Sequence, residues 1–352
     1  MRIAFLLPSL VKTAPNIIAF NIINNIKSQC ERLEIFYFKE VENQIETELP
    51  CHRISPSKAF DFAGFDVLHV HLFAANVFVM NYRKKIQPVV VTTVHSFIKD
   101  DVYNNYPRGA RLIISRVWYR SLHKHDHLVF LNHYMMESYR KKYPKKRLHF
   151  VYNGIDNIEP INTLPKNEKS KLESWAAGRK IIGTTSLLTK LKGLQIIIDF
   201  LKKQPAYVWI ALGSGNDEKR LKRLAQKAEV SQQCKFVGFQ SNPEGYYALF
   251  DFFAFPSYSE GFGLSLLEAA RQKLPIICSN IPVFKELFSE EEVAFFDLGD
   301  VKSFAVGIEK LEKDKPGYAN RVHKKFIEKY TSQKMANDYY KLYYLITEER
   351  RP

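Results

Sequence analysis

The chain has 352 residues, 46% of them apolar, and a formal net charge of +15. That length is too great for one ordinary core and fits a fully folded globular protein of two domains, while no run reaches the ~18 apolar residues of a membrane span. Cys30, Cys51, Cys234 and Cys278 lie too far apart for a metal or redox motif and read as reduced structural thiols of a cytosolic protein.

The first ten residues, Met-Arg-Ile-Ala-Phe-Leu-Leu-Pro-Ser-Leu, have a short apolar core broken by Pro8 and no small-residue cleavage site. They read as a first buried strand rather than a signal peptide. Further strands are expected at 33–38, 67–70, 89–94 and 127–131, with helical spacing between them, as over 17–27. Arg108, Arg111, Arg116, Arg120 and Lys124 interleave with Ile113, Ile114, Val117, Trp118, Tyr119 and Leu122. This is the pattern of a basic amphipathic helix lying on an anionic membrane surface, with a solvated helix face as the alternative. A second basic cluster follows at Arg140, Lys141, Lys142, Lys145, Lys146 and Arg147. Without zinc spacing, an RNP-type motif or a basic arm, the charge does not point to nucleic acid.

Residues 153–171, with Pro160, Pro165, asparagine-containing turns and charges, read as a linker. Strands resume at 180–184, 206–212, 234–237, 250–255 and 275–278. Tyr339, Tyr340, Tyr343 and Tyr344 repeat at helical spacing and predict a closing helix. Strand–helix alternation through both halves implies the α/β class, with two facing Rossmann-like, doubly wound domains and ligands at the carboxyl ends of the strands. The expected boundaries are 1–155 for the first domain, 156–171 for the linker, 172–331 for the second domain and 332–352 for a closing helix packed back toward the first domain.

The richest stretch is 257–268, Ser-Tyr-Ser-Glu-Gly-Phe-Gly-Leu-Ser-Leu-Leu-Glu, directly after the apolar run 250–255 and Pro256. It reads as strand, tight turn and helix N-terminus, with Glu260 before the turn and Glu268 after it. Backbone amides at such a turn favour phosphate, and Gly261 and Gly263 allow close approach, with the amides of Phe262, Gly263 and Leu264 as expected donors. The acids suit hydroxyls. A nucleotide sugar supplies both kinds of partner.

In this context the chain resembles, over nearly its full length, the retaining glycosyltransferases of GT-B fold in family four, of the group 1 type. Glu260 and Glu268 match that family's glutamate pair, within Pro-Ser-x-x-Glu-Gly-Phe-Gly-Leu-x-x-Leu-Glu-Ala. The resemblance implies that Glu268 binds the donor ribose and Glu260 the sugar hydroxyls near the reacting carbon. Lys192-Gly193 matches the family's Lys-Gly, whose lysine neutralises the donor phosphates. His95, in Val-Val-Val-Thr-Thr-Val-His-Ser, is implied to touch the transferred sugar, a structural histidine being the alternative. Phe236 and Val237 are expected at the nucleobase, and Gly213 in a turn beside the donor. His69 and His71 share one face of a strand but lack a third ligand, so they read as structural or cleft-lining and no metal is expected.

Three features depart from the family. Ser186 and Leu187 stand where it has an arginine, with Lys190 as a partial substitute. The loop 9–16 has no glycine, and Lys273 replaces a small residue. The expected activity is retaining transfer of a hexosyl unit, without cofactor, from a UDP-sugar or a GDP-sugar, the former favoured. The expected acceptor is a saccharide or polyprenyl-linked saccharide of bacterial surface polysaccharide, reached from the cytoplasm at the inner face of the membrane. Another GT-B enzyme, an epimerase or inverting transferase, and a non-catalytic membrane-associated protein are the alternatives.

Overall fold

A computed structural model of the chain describes residues 1–42, 44–144, 146–158 and 164–350, except the side chain of Asn105. Lys145 of the second basic cluster, 159–163 of the expected linker and 351–352 of the closing segment lie outside the described residues. The chain divides into two compact units, Met1–Asp156 with Tyr330–Pro352, and Asn157–Lys329.

The first unit holds β1 (Arg2–Ser9), β2 (Arg32–Lys39), β3 (Cys51–Arg53), β4 (Val67–His71), β5 (Val89–Val94), β6 (His127–Phe130) and β7 (Arg147–Phe150), in the order β3-β2-β1-β4-β5-β6-β7. Every pairing is parallel. The second unit holds β8 (Lys180–Thr185), β9 (Tyr207–Leu212), β10 (Cys234–Gly238), β11 (Phe252–Phe255), β12 (Ile276–Ser279) and β13 (Ala294–Phe296), in the order β10-β9-β8-β11-β12-β13, again all parallel. Central strands such as β4, β5 and β9 are buried at every residue, as strands covered by helices on both faces must be. Both orders reverse at one point, between β1 and β4 and between β8 and β11. Loops leaving the two strands there turn to opposite faces and open a crevice at their carboxyl ends.

The closing helix Ser332–Glu348 belongs to the first unit, where it packs on the helix Ala14–Ile26. Tyr339 and Tyr343, one turn apart on its face, are both fully buried. The Tyr339 hydroxyl lies 2.9 Å from Thr93 Oγ1 and the Tyr343 hydroxyl 2.6 Å from His69 Nδ1.

The expected linker is corrected at its end, because Lys166–Ala176 is a helix. Its charges belong to a solvent face, while Leu172 and Ala176 are buried, and the Tyr246 hydroxyl donates to Glu168. Charge and the preceding proline mimic a loop where only a narrow apolar stripe marks a surface helix. The basic segment 108–124 contains the helix Arg111–Leu122, which buries Trp118 and Leu122 but leaves Leu112 61% and Ile113 65% exposed beside exposed Arg116 and Arg120. The second basic cluster is largely engaged. Arg140 pairs with Glu137, Arg147 with Glu349, and the Lys142 ammonium sits 3.6 Å from the Tyr119 ring centre.

Candidate active site

In the second unit the crevice is framed by the loops after β8 and β11. They are in contact. Gly193 has φ +63°, and a Cβ on it would overlap the Pro256 carbonyl oxygen; the Tyr258 N–H donates to Leu191 O at 2.8 Å. Only glycine allows backbone that close in a left-handed turn. The contact brings Lys192 to Glu260, and the two form an ion pair with side chains only 19% and 12% exposed. The Ser257 hydroxyl donates to the same Glu260 oxygen at 2.7 Å. Charge-assisted bonds of this kind are about twice as strong as neutral ones, so they hold Glu260 in one pose.

Glu268 lies on the helix Leu264–Arg271, which starts behind Gly263 in the left-handed region at φ +98°. A helix N-terminus leaves its first amides without intrahelical partners, and here they belong to residues from Leu264 onward. Phe262 is part of the core, 2% exposed. The Tyr247 hydroxyl, fully buried, donates to Glu268 Oε2 at 2.7 Å. Burial raises the Glu268 carboxyl above the ordinary carboxylate pKa, while the Tyr247 hydroxyl and the Arg271 guanidinium oppose that rise. Arg271 is itself paired with Glu244.

The remaining expected residues are less concentrated. Lys190 is exposed on the turn that carries Lys192. Gly213, at φ +123°, is required by packing inside the fold, since a Cβ there would overlap Ser186 O. Phe236 packs edge-on to Trp209 with ring centres 5.2 Å apart, and Val237 is half-buried on the same strand. Phe239, just beyond, is 73% exposed. A cavity of ≈ 250 Å³ lined by Gly193, Gln195, Pro256, Tyr258 and Leu298 lies next to these loops, but neither Glu260 nor Glu268 lines it.

In the first unit His95 follows β5 directly and is half-buried. Its Nε2 lies 2.8 Å from Nδ1 of His71, the last residue of β4. His69 Nε2 reaches Thr93 Oγ1 at 2.8 Å, and both His69 and His71 are fully buried. Burial drives both well below the ordinary imidazole pKa and brings His95 down to about 3, so all three rings are neutral. Among the described residues no group of three or more His, Cys, Asp or Glu side chains could hold a metal ion. The loop that lacks glycine is closed by Asn16, fully buried, whose Nδ2 donates to Ser9 O and Val11 O at 2.8 Å each.

Tyr247, Asn16 and the partnership of His71 with His95 were not legible in the sequence. Tyr247 is 21 residues from Glu268 and His71 is 24 from His95, and no local spacing marks either pair. Ser257 carried a signal, lying three residues before Glu260 in one turn.

The family described as Glycosyl transferases group 1 matches residues 165–330, and Glycosyltransferase Family 4 matches residues 48–157. The O-antigen biosynthesis glycosyltransferase WclY of Escherichia coli is 28% identical over 351 residues, covering 97% of this chain and 98% of the relative. Among solved structures, sucrose-phosphate synthase from Thermosynechococcus elongatus superposes with a TM-score of 0.79 at 15% identity, over 99% of each chain. Anabaena HepE in complex with UDP and glucose superposes with a TM-score of 0.74 at 17% identity, over 97% of this chain and 99% of that one.

Proposed function

This chain belongs to the GT-B glycosyltransferases of family four, and we propose that it moves a hexosyl unit, with retention, from a nucleotide-diphosphate sugar to a saccharide or polyprenyl-linked saccharide. The observation that carries this reading is the convergence of Lys192, from the loop after β8, and Ser257 on Glu260 in the loop after β11, with Glu268 held by Tyr247 on the helix that follows. A cation and helix amides suit a diphosphate, and two oriented carboxylates suit sugar and ribose hydroxyls. A UDP-sugar is favoured over a GDP-sugar, in keeping with HepE, whose structure contains UDP and glucose. Bacterial surface polysaccharide is the proposed product, since WclY is an O-antigen enzyme matched along its whole length.

In the proposed reaction Glu260 holds the transferred sugar, Glu268 the ribose, and His95 a hydroxyl or oxygen of the sugar. The acceptor hydroxyl bonds to the anomeric carbon as the bond to the diphosphate breaks, and its proton passes to the departing diphosphate oxygen. Lys192 and the amides of Gly261, Phe262, Gly263 and Leu264 stabilise the negative charge that develops there. Charge neutralisation by these groups makes no demand for a metal.

The exposed apolar pair Leu112 and Ile113, flanked by Arg116 and Arg120, supports docking at the anionic cytoplasmic face of the membrane. No helix among the described residues is long and apolar enough to cross one. A thermal-shift screen against UDP, GDP and their sugars, followed by transfer to polyprenyl-linked acceptors with NMR of the anomeric product, tests the enzymatic reading. Stabilisation by UDP-sugars and a retained anomeric configuration are expected; an inverted product, or no transfer to any acceptor, overturns it. Binding to anionic vesicles that is released by high salt is the result expected at the membrane, and failure to bind at low salt ends that part of the proposal.

A further inference from the structure

The pair formed by His71 and His95 has a definite proton arrangement, and it bears on what His95 can offer a ligand. We propose that His71 is a positioning residue that fixes His95 as the tautomer protonated on Nδ1, so that His95 acts toward the sugar as a hydrogen-bond donor from Nδ1. The inference rests on the reading above in which His95 touches the transferred sugar.

His71 Nδ1 and His95 Nε2 are 2.8 Å apart, so a single proton lies between them. Both rings are neutral, because burial disfavours the imidazolium form of each. Each ring therefore carries one N–H and one lone pair, which leaves two arrangements. In the first, His71 donates from Nδ1 and His95 accepts at Nε2, which puts the His95 proton on Nδ1. In the second, His95 donates from Nε2 and His71 must carry its own proton on Nε2.

The second nitrogen of His71 decides between them. His71 Nε2 is buried and has no hydrogen-bond partner among the described residues. In the first arrangement that atom is an unused lone pair; in the second it is a buried N–H with nothing to receive it. An orphaned buried N–H is the rarer defect in folded proteins, rarer than an unused buried acceptor. The first arrangement is favoured.

The ring of His71 is also held in place. It stacks on Phe5 with centroids 6.0 Å apart and lies against His69 at 4.3 Å, both from the same sheet. Leu72, the next residue, has φ +70° and ψ 165°, a region that residues other than glycine rarely occupy. Strained backbone directly after a buried polar side chain persists only where its surroundings over-determine it. His71 thus presents a fixed donor, and His95 is left one free proton, on Nδ1.

Long-range proton–nitrogen NMR of the imidazole rings tests this on the full chain without substrate, with His95 assigned from the spectrum of a His95→Gln variant. A pyrrole-type Nδ1 and a pyridine-type Nε2 for His95 are expected. A proton on His95 Nε2, or on His71 Nε2, overturns the proposal. In transfer assays His71→Asn, whose side-chain amide can donate from the place of Nδ1, should keep kcat within several-fold. His71→Leu should lower kcat about ten- to hundredfold with little change in KM for the nucleotide sugar. Wild-type kcat in His71→Leu, or an equal loss in both variants, overturns the positioning role. Absence of any transfer by the unmodified protein would count against the enzymatic reading alone, because the NMR result does not depend on turnover.

Discussion

Glu268 and Glu260 have the same side chain and sit on one loop–helix unit, yet their surroundings differ. Glu260 is neutralised by a lysine and fixed by a serine, whereas Glu268 is a carboxylate with a raised pKa and a phenol as its partner. A hydrogen bond to a charged group contributes about 1.5–3 kcal/mol, which is roughly ten- to hundredfold in an equilibrium. Glu268→Ala should therefore lower kcat/KM for the donor by about that factor and weaken UDP binding in calorimetry in parallel. Tyr247→Phe should have a smaller effect of the same kind, about threefold to tenfold, because the ligand's hydroxyls can replace the lost donor only in part. A Tyr247→Phe enzyme with unchanged UDP affinity would show that Glu268 needs no partner to be positioned.

At the scale of elements, two of the three departures from the family pattern find structural explanations, and the absence of an arginine at Ser186 and Leu187 has none. Lys273 has φ +55° and sits just past the helix Leu264–Arg271. The N–H of Leu274 donates to Ala269 O and that of Lys273 to Ala270 O, the two bonds of a Schellman cap, whose left-handed residue is ordinarily glycine. Lysine holds that position against its own Cβ. Lys273→Gly should therefore stabilise the second unit by about 1 kcal/mol in urea unfolding, and a destabilised variant would refute the strain. The glycine-free loop before the helix Ala14–Ile26 is likewise closed from within, by Asn16. Ten of the thirteen described strands were legible because their apolar runs are local, whereas β3, β7 and β13 are only three or four residues long and leave no such run. The helix Lys166–Ala176 was hidden by its charges, and the cap at Lys273 could not be read because positive φ leaves no trace in a lysine.

For the whole molecule, the histidines divide unevenly: nine of the ten (52, 69, 71, 95, 123, 125, 127, 133 and 149) fall in the first unit, and only His323 in the second. His69, His71 and His125 are fully buried, and burial holds the pKa of each down, that of His125 to about 3. The unfolded chain takes up these protons near pH 6.5, the folded chain far lower. Between those values the unfolded state binds more protons, so stability falls as the pH drops. Each such ring removes up to about 1.4 kcal/mol per pH unit below ~6.5. Acid should therefore unfold the first unit before the second. Tryptophan fluorescence against pH checks this, with Trp118 reporting the first unit and Trp209 the second. Simultaneous loss of both signals would contradict it.

By itself the sequence determined the alternation of strands and helices, the division into two parts and the motif that carries Glu260 and Glu268. All of these follow from periodicity and short-range spacing, which a chain displays before it folds. The tertiary structure decided which residues became partners: Lys192 with Glu260, Tyr247 with Glu268, His71 with His95, and the closing helix with β4 and β5. Those partnerships span 21 to 274 residues and depend on strand order and on which loops meet at a sheet's reversal point. Side-chain contacts at such separations are set by the packing of whole elements, and no local pattern of residue types encodes them.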